Sequence, residues 1–251
     1  MTALVGISMT DYVLLQTLQE SIVDVGRLKA IFVCGIPGAG KTYTVSQLQD
    51  GAVGARIVNS DRMYEFLGKQ GHTNVTDPTG WKAVSETVKR TTSTQLQLYI
   101  NSMLPLFVDS TSADPGNILR RKGILESIGY DVGIVWVETD VETAVARARE
   151  RERQVPEEFI RRVHERAERT KQYVYNAFQW KLTINNNDGE LTDNIIQSAY
   201  KAAQGFFRGP VENPMGQHTI KQLETERQKY LVPNVCSKEE LSHYVAAWYK
   251  K

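Results

Sequence analysis

Short apolar runs alternate with amphipathic stretches through most of this chain, and that alternation sets the expected order of elements. Residues 30–34 (Ala-Ile-Phe-Val-Cys) are continuously apolar and short, the pattern of a strand buried on both faces. The stretch 41–49 that follows reads as helix. Gly51 and Gly54 turn the chain into a second strand over 55–59, followed by a short helix over 62–67. Residues 68–80 carry no apolar periodicity and read as a loop, a candidate lid. A long helix over 81–103 then places Trp81, Val84, Val88, Leu96, Tyr99 and Ile100 at helical spacing. A third strand covers 106–108, a helix 117–128 ends at Gly129 as C-cap, and a fourth strand covers 132–137. The arginine-rich stretch 140–153 is helical. Another helix opens with Pro156 as its first residue and runs to about Asn176, before a fifth strand over 180–184 and a helix over 191–204.

Both flanks read as helical additions. Residues 8–25 space Val13, Leu14, Leu18, Ile22 and Val25 as a packing helix opened by Thr10-Asp11 and ended by Gly26. Gly209-Pro210 and Asn213-Pro214 break the pattern, and 216–251 reads as two short helices around Val232-Pro233. The expected organisation is a packing helix over 1–26, an α/β domain over 27–207 with an arginine-rich lid at 140–155, and a helical tail over 208–251. Strands alternating with helices imply a mostly parallel five-stranded sheet with helices on both faces. Ligands of such sheets bind beyond the carboxyl ends of the strands.

Composition narrows the function classes. The 251 residues are 41% hydrophobic and 24% charged, an ordinary globular mixture. Lys+Arg at 30 against Asp+Glu at 29 gives no global attraction for a polyanion, so a nucleic-acid surface would have to be local. Cys34 and Cys236 are the only cysteines, which excludes a disulfide framework and a cysteine zinc site and suits a reducing cytoplasm. No apolar run approaches the ~20 residues of a membrane span and the N-terminus has no signal-peptide pattern, so no membrane partner is expected.

The chemistry centres on the stretch between the first strand and its helix. Gly35-Ile36-Pro37-Gly38-Ala39-Gly40-Lys41-Thr42 is a complete G-x-x-x-x-G-K-[ST] phosphate loop in strand–loop–helix context. Gly35 through Tyr43 are the expected nucleotide-binding residues. Glycines let consecutive backbone N–H groups turn in around phosphate oxygens, and the helix N-terminus adds its positive dipole end. Lys41 is expected to reach the β- and γ-phosphates of ATP, and the Thr42 hydroxyl to hold Mg²⁺.

Two further strand ends carry carboxylates. Asp61 follows the second strand and is the candidate base for an acceptor hydroxyl. Asp109 ends the third and is a candidate for ordering magnesium, through water, or the acceptor side. Both could instead be helix N-caps. Within 140–153, Arg147 and Arg151 share one helix face, with Arg149 and Arg153 roughly opposite. Arginines on such a lid can neutralise a transferring phosphoryl group. Glu150 and Glu152 between them suit a solvated, ion-paired face instead. A second basic run, Arg161, Arg162, Arg166, Arg169 and Lys171, reads equally as a polyanion guide or as a solvated face interleaved with Glu165 and Glu168.

Together these residues resemble the P-loop kinases typified by phage polynucleotide 5′-kinases and, more distantly, zeta toxins. The resemblance covers about 29–185. It rests on the phosphate loop, Val58-Asn59-Ser60-Asp61, Val108-Asp109-Ser110-Thr111, and Arg147-x-x-x-Arg151 before Val155-Pro156. It implies that Asp61 activates the acceptor hydroxyl, that Arg151 contacts the transferred phosphate, and that Asp109 to Thr111 lie at the acceptor site. Tyr64 stands where polynucleotide kinases usually carry arginine, which keeps open kinases of 5-hydroxymethyluracil in phage DNA and zeta-type kinases of UDP-N-acetylglucosamine. The expectation is an ATP- and Mg²⁺-dependent kinase of a hydroxyl on DNA or another nucleic acid, in the cytoplasm. A nucleotide-responsive module whose ATP binding orders the 68–80 loop or the tail is the non-enzyme alternative.

Overall fold

A computed structural model describes residues 25–49, 54–69, 78–112, 114–150, 155–187 and 192–230. Val25–Gly216 forms one compact unit, and the described residues beyond it, 217–230, belong to a second. The expected helix over 8–25 and the second of the two C-terminal helices fall outside the described residues, apart from Val25, which lies in a turn.

Five strands, β1 (Lys29–Gly35), β2 (Arg56–Val58), β3 (Leu106–Thr111), β4 (Asp131–Glu138) and β5 (Trp180–Asn185), form one sheet in the order β2-β3-β1-β4-β5. Every pairing is parallel. The helices are α1 (Lys41–Gln49), α2 (Ser60–Lys69), α3 (Pro78–Asn101), α4 (Pro115–Ser127), α5 (Val141–Arg149), α6 (Glu157–Asn176), α7 (Asp193–Arg208) and α8 (Pro214–Tyr230). Helices α1 to α7 cover both faces of the sheet, and β1 at its centre is buried along its whole length. Phe32 meets Phe178 edge-on at 5.9 Å, and Phe107 meets Phe207 at 5.3 Å, so aromatic pairs tie the sheet to its covering elements. Among the described residues no helix is long and apolar enough to cross a membrane.

The chain leaves β1 toward β2 and β3 on one side and returns past it to β4 and β5 on the other. The reversal opens a crevice at the carboxyl ends of β1 and β3, where sheets of this kind bind ligands.

Several boundaries differ from the periodicity reading, each for a local reason. β3 runs on through Thr111 because Asp109, Ser110 and Thr111 pair with Val33, Cys34 and Gly35. The helix expected over 62–67 begins at Ser60, because the Asn59 side chain accepts from the Asp61 N–H at 2.7 Å and caps it. The helix expected from Asn117 begins at Pro115, capped by Asp114. Pro156 is the residue before α6, not its first. α7 continues to Arg208 because Phe207 is buried in the core. After Gly209, residues 210–213 are stapled to the sheet: Lys29 donates to Asp131 and to the Pro210 carbonyl, each at 2.7 Å, while Asp131 accepts from the Glu212 and Asn213 N–H groups. The ion pair is largely buried and further hydrogen-bonded, the condition under which such a pair is tolerated.

Candidate functional site

The loop between β1 and α1 is shaped by two glycines and held from behind. Gly38 and Gly40 have φ of 88° and 84°, in the left-handed region. A Cβ on Gly38 would stand 2.1 Å from the Ala144 carbonyl oxygen of α5, and one on Gly40 would stand 2.2 Å from Asn186 Nδ2. Asn186, just past β5, donates to the Ala39 carbonyl at 2.7 Å, and Arg147 donates to the Asn186 carbonyl at 2.8 Å. Lys41, the first residue of α1, folds its ammonium back to the Gly35 and Ile36 carbonyls at 3.0 and 3.1 Å. Thr42 and Tyr43 are exposed at the start of the same helix. A loop whose glycines pack directly against α5 and Asn186, with a buried ammonium laid across it and a helix N-terminus behind, fits a triphosphate.

Gly38→Ala is therefore expected to lose about 2–5 kcal/mol of stability, from left-handed strain and from overpacking against α5, and to abolish nucleotide binding. Gly205→Ala is its control. Gly205 lies inside α7 with nothing within 4 Å of the added carbon, and alanine there should be neutral or stabilising by up to about 1 kcal/mol. Chemical denaturation of both variants checks the contrast.

A cleft of about 790 Å³ opens beside the loop, lined by Pro37 and Lys41, by Asn59, Ser60, Asp61 and Tyr64, and by Asp109 and Ser110. Asn117 and Arg121 of α4, Val155 and Pro156, and Glu158, Phe159 and Arg162 of α6 complete it. The structure thus brings Lys41, Asp61 and Asp109 into one cleft. Neither aspartate is an N-cap: Asn59 caps α2 and Asp114 caps α4, while Asp109 lies within β3 rather than at its end. Thr42 and Asp109 supply oxygen donors of the kind that suit Mg²⁺. Among the described residues there is no cluster of three or more His, Cys, Asp or Glu at metal-binding spacing, so such an ion would need ligands from its nucleotide and water. Cys34 on the buried β1 is not part of this chemistry. Burial pushes its thiol up to about 12, against the opposing pull of the Lys41 charge, so it stays protonated at neutral pH.

The arginine-rich stretch divides by face, as its spacing implies. Arg147 turns inward to Asn186, whereas Arg149 is exposed and pairs with Glu157 at 2.5 Å. Arg147 does not line the cleft, and Arg151 lies outside the described residues. The second basic run is mostly ion-paired: Arg161 with Glu142 and Glu157, Arg169 with Glu165, and Lys171 with Glu138. Paired arginine raises its partners' acidity, and Glu142 and Glu157 are both held below the ordinary carboxylate range, chiefly by hydrogen bonds from Arg161. Of that run, only Arg162 reaches the cleft.

The periodicity reading did not find Asn117, Arg121, Phe159 or Asn186. Asn117 and Arg121 stand at i and i+4 on α4, a spacing that marks one helix face. Asn186 meets the loop across 147 residues of sequence, and no local signal marks it.

A family model described as an AAA domain matches residues 31–171, more than half of the chain. No curated protein matches the sequence. Solved structures similar to it include shikimate kinase from Acinetobacter baumannii, in complex with shikimate, at 20% identity (79% of this chain, 94% of that one, TM-score 0.40). The PezAT chromosomal toxin–antitoxin system of Streptococcus pneumoniae is similar at 16% identity (88% and 94%, TM-score 0.49). The Deinococcus radiodurans tunicamycin resistance protein is similar at 18% (70% and 93%, TM-score 0.38). Likenesses of this degree say nothing about substrate. The family match spans the phosphate loop, both carboxylate-bearing segments and the arginine-rich helix, and by that match the chain belongs to this AAA-domain family of P-loop proteins.

Proposed function

We propose that this chain is an ATP- and Mg²⁺-dependent kinase that transfers the γ-phosphate to a hydroxyl on DNA or another nucleic acid. The observation that carries the reading is the meeting of Lys41, Asp61 and Asp109 in one cleft at the carboxyl ends of the strands. The loop N–H groups and Lys41 would hold the triphosphate, and Thr42 and Asp109 would hold magnesium, whose charge when bound offsets that of the phosphates. Asp61 takes the proton of the acceptor hydroxyl. The acceptor oxygen forms its bond to phosphorus as the bond to the ADP oxygen breaks, and ADP leaves. Arg151 is assigned to the negative oxygens of the moving group, whereas Arg147, bonded to the Asn186 carbonyl outside the cleft, is left to brace Asn186 behind the loop.

The test is transfer of label from γ-labelled ATP to three acceptors: a 5′-hydroxyl oligonucleotide, DNA containing 5-hydroxymethyluracil with blocked 5′ ends, and UDP-N-acetylglucosamine. Label is expected in one of the two DNA acceptors. Label in UDP-N-acetylglucosamine alone would leave a kinase and remove the nucleic acid. ATP binding without label anywhere would favour a nucleotide-responsive module.

A further inference from the structure

The cleft carries cations on more than its nucleotide side. Lys41 and the loop amides already face the nucleotide side, yet α4 and α6, which pack against each other, add Arg121 and Arg162 to another wall. Their neighbours on the same helices already have partners. Arg120 donates to the Asn117 side chain at 3.0 Å, and Arg161 is bonded to both Glu142 and Glu157. Among the described residues neither Arg121 nor Arg162 has a carboxylate within ion-pair distance; Arg162 only stands over the Phe159 ring at 5.9 Å. Of the neighbours Arg161 is neutralised by carboxylates and Arg120 is hydrogen-bonded to an amide, while the two arginines that line the cleft are left without an ion pair among the described residues.

For Arg121 this arrangement is unfavourable in isolation. It is half-buried, desolvation lowers its pKa, and the charge that acts on it is the like charge of Arg120. A planar guanidinium held partly out of water and aimed into a cleft matches the fork geometry of a phosphate. Asp61, Asp109 and Glu158 line the same cleft and would repel an anion bound beside them, so the anion's place is nearest Arg121, whose helix adds no carboxylate to the lining.

We propose that the acceptor bears a phosphate near its reacting hydroxyl and that Arg121 and Arg162 hold that phosphate, a specificity site that rests on the phosphotransfer reading above. The phosphate can be a backbone diester of a nucleic acid or the pyrophosphate of a nucleotide sugar, since both present the same oxygens. A neutral alcohol is excluded as the preferred acceptor.

Calorimetric titration of the full chain, loaded with a non-hydrolysable ATP analogue, tests this with three probes: a thymidine dinucleotide, UDP-N-acetylglucosamine, and uncharged thymidine. At least one phosphate-bearing probe should bind tenfold or more tighter than thymidine, and which one does so names the source of the phosphate. Arg121→Gln and Arg162→Gln should each weaken that probe by about ten- to a hundredfold while leaving affinity for the ATP analogue unchanged. Arg121→Lys, which keeps the charge and loses the fork, should fall between; it also guards against misreading a variant that fails to fold. Phosphate-bearing probes that bind no better than thymidine would overturn the site. So would variants that lose the ATP analogue in place of the acceptor. A chain that binds these probes through Arg121 but transfers no phosphate keeps the site and loses the kinase. One that phosphorylates thymidine as fast as the dinucleotide keeps the kinase and loses the site.

Discussion

Asp61→Asn is expected to lower the turnover of phosphate transfer by about two to four orders of magnitude, the range that a positioned proton acceptor contributes. The substitution is nearly isosteric, and it leaves the cap of α2 in place. The helix that carries Asp61 is capped by the Asn59 side chain, so the Asp61 carboxylate is not its cap. A carboxylate in the first turn of α2 interacts with the positive end of the helix, and asparagine forfeits only about 0.3–1 kcal/mol of that. Stability should therefore change by less than about 1 kcal/mol while turnover collapses. ATP affinity should hold, because the donor is gripped by the loop and Lys41. Steady-state kinetics beside a denaturant titration separates these effects. A variant that turns over within tenfold of the parent would remove Asp61 from the proton-transfer role and leave Asp109 as the remaining described aspartate of the cleft.

What local pattern can and cannot reveal is plain from particular residues. The phosphate loop was legible because its chemistry is sequential: glycines, Lys41 and Thr42 act through their own neighbours, and the apolar run before them can only be a buried strand. β1, β3 and β4 were legible as short apolar runs between amphipathic stretches, and β5 as an alternation of apolar and polar residues. The order β2-β3-β1-β4-β5 was not, since pairing β1 with β3 and β4 joins residues far apart in the chain, as with Val33 and Asp109 at 76 positions and Lys29 and Asp131 at 102. The same register draws Asp109 into the body of β3, where apolar periodicity alone ends the strand at Val108. Asp61 was placed correctly after its strand, but only the structure shows that Asn59 performs the capping that Asp61 could have performed. Arginines were the least legible group. Spacing put Arg147 and Arg149 on different faces, yet whether each meets a carbonyl, a glutamate or the cleft depends on α6 and on β5, which lie far along the chain. Arg162 looked like one of five equivalent cations and differs from Arg161 only in which way its helix face turns.

The loop lysine should show a loss of different character from the base. Lys41 is 8% exposed, and its ammonium is held by the Gly35 and Ile36 carbonyls. A buried ammonium is tolerable only while it is hydrogen-bonded, and these two bonds serve the loop as much as the lysine. Lys41→Met keeps most of the aliphatic stem, deletes the charge and leaves the two carbonyls without that donor. Two consequences should appear together: a stability loss of about 1–3 kcal/mol, from the unsatisfied carbonyls, and a fall in kcat/KM of about a hundred- to a thousandfold, the effect of removing one preorganised donor from developing phosphate charge. The first sets Lys41 apart from Asp61, whose loss should be confined to turnover. Affinity for ATP should weaken as well, because the ammonium that leaves the carbonyls for the phosphates acts on the bound donor as well as on the transition state. Calorimetric titration with ATP, run beside thermal unfolding, distinguishes this from a purely structural clamp. If the folded fraction of Lys41→Met binds ATP and transfers phosphate like the parent, the lysine only braces the loop, and the charge that draws in the triphosphate must come from the backbone amides and the helix N-terminus alone.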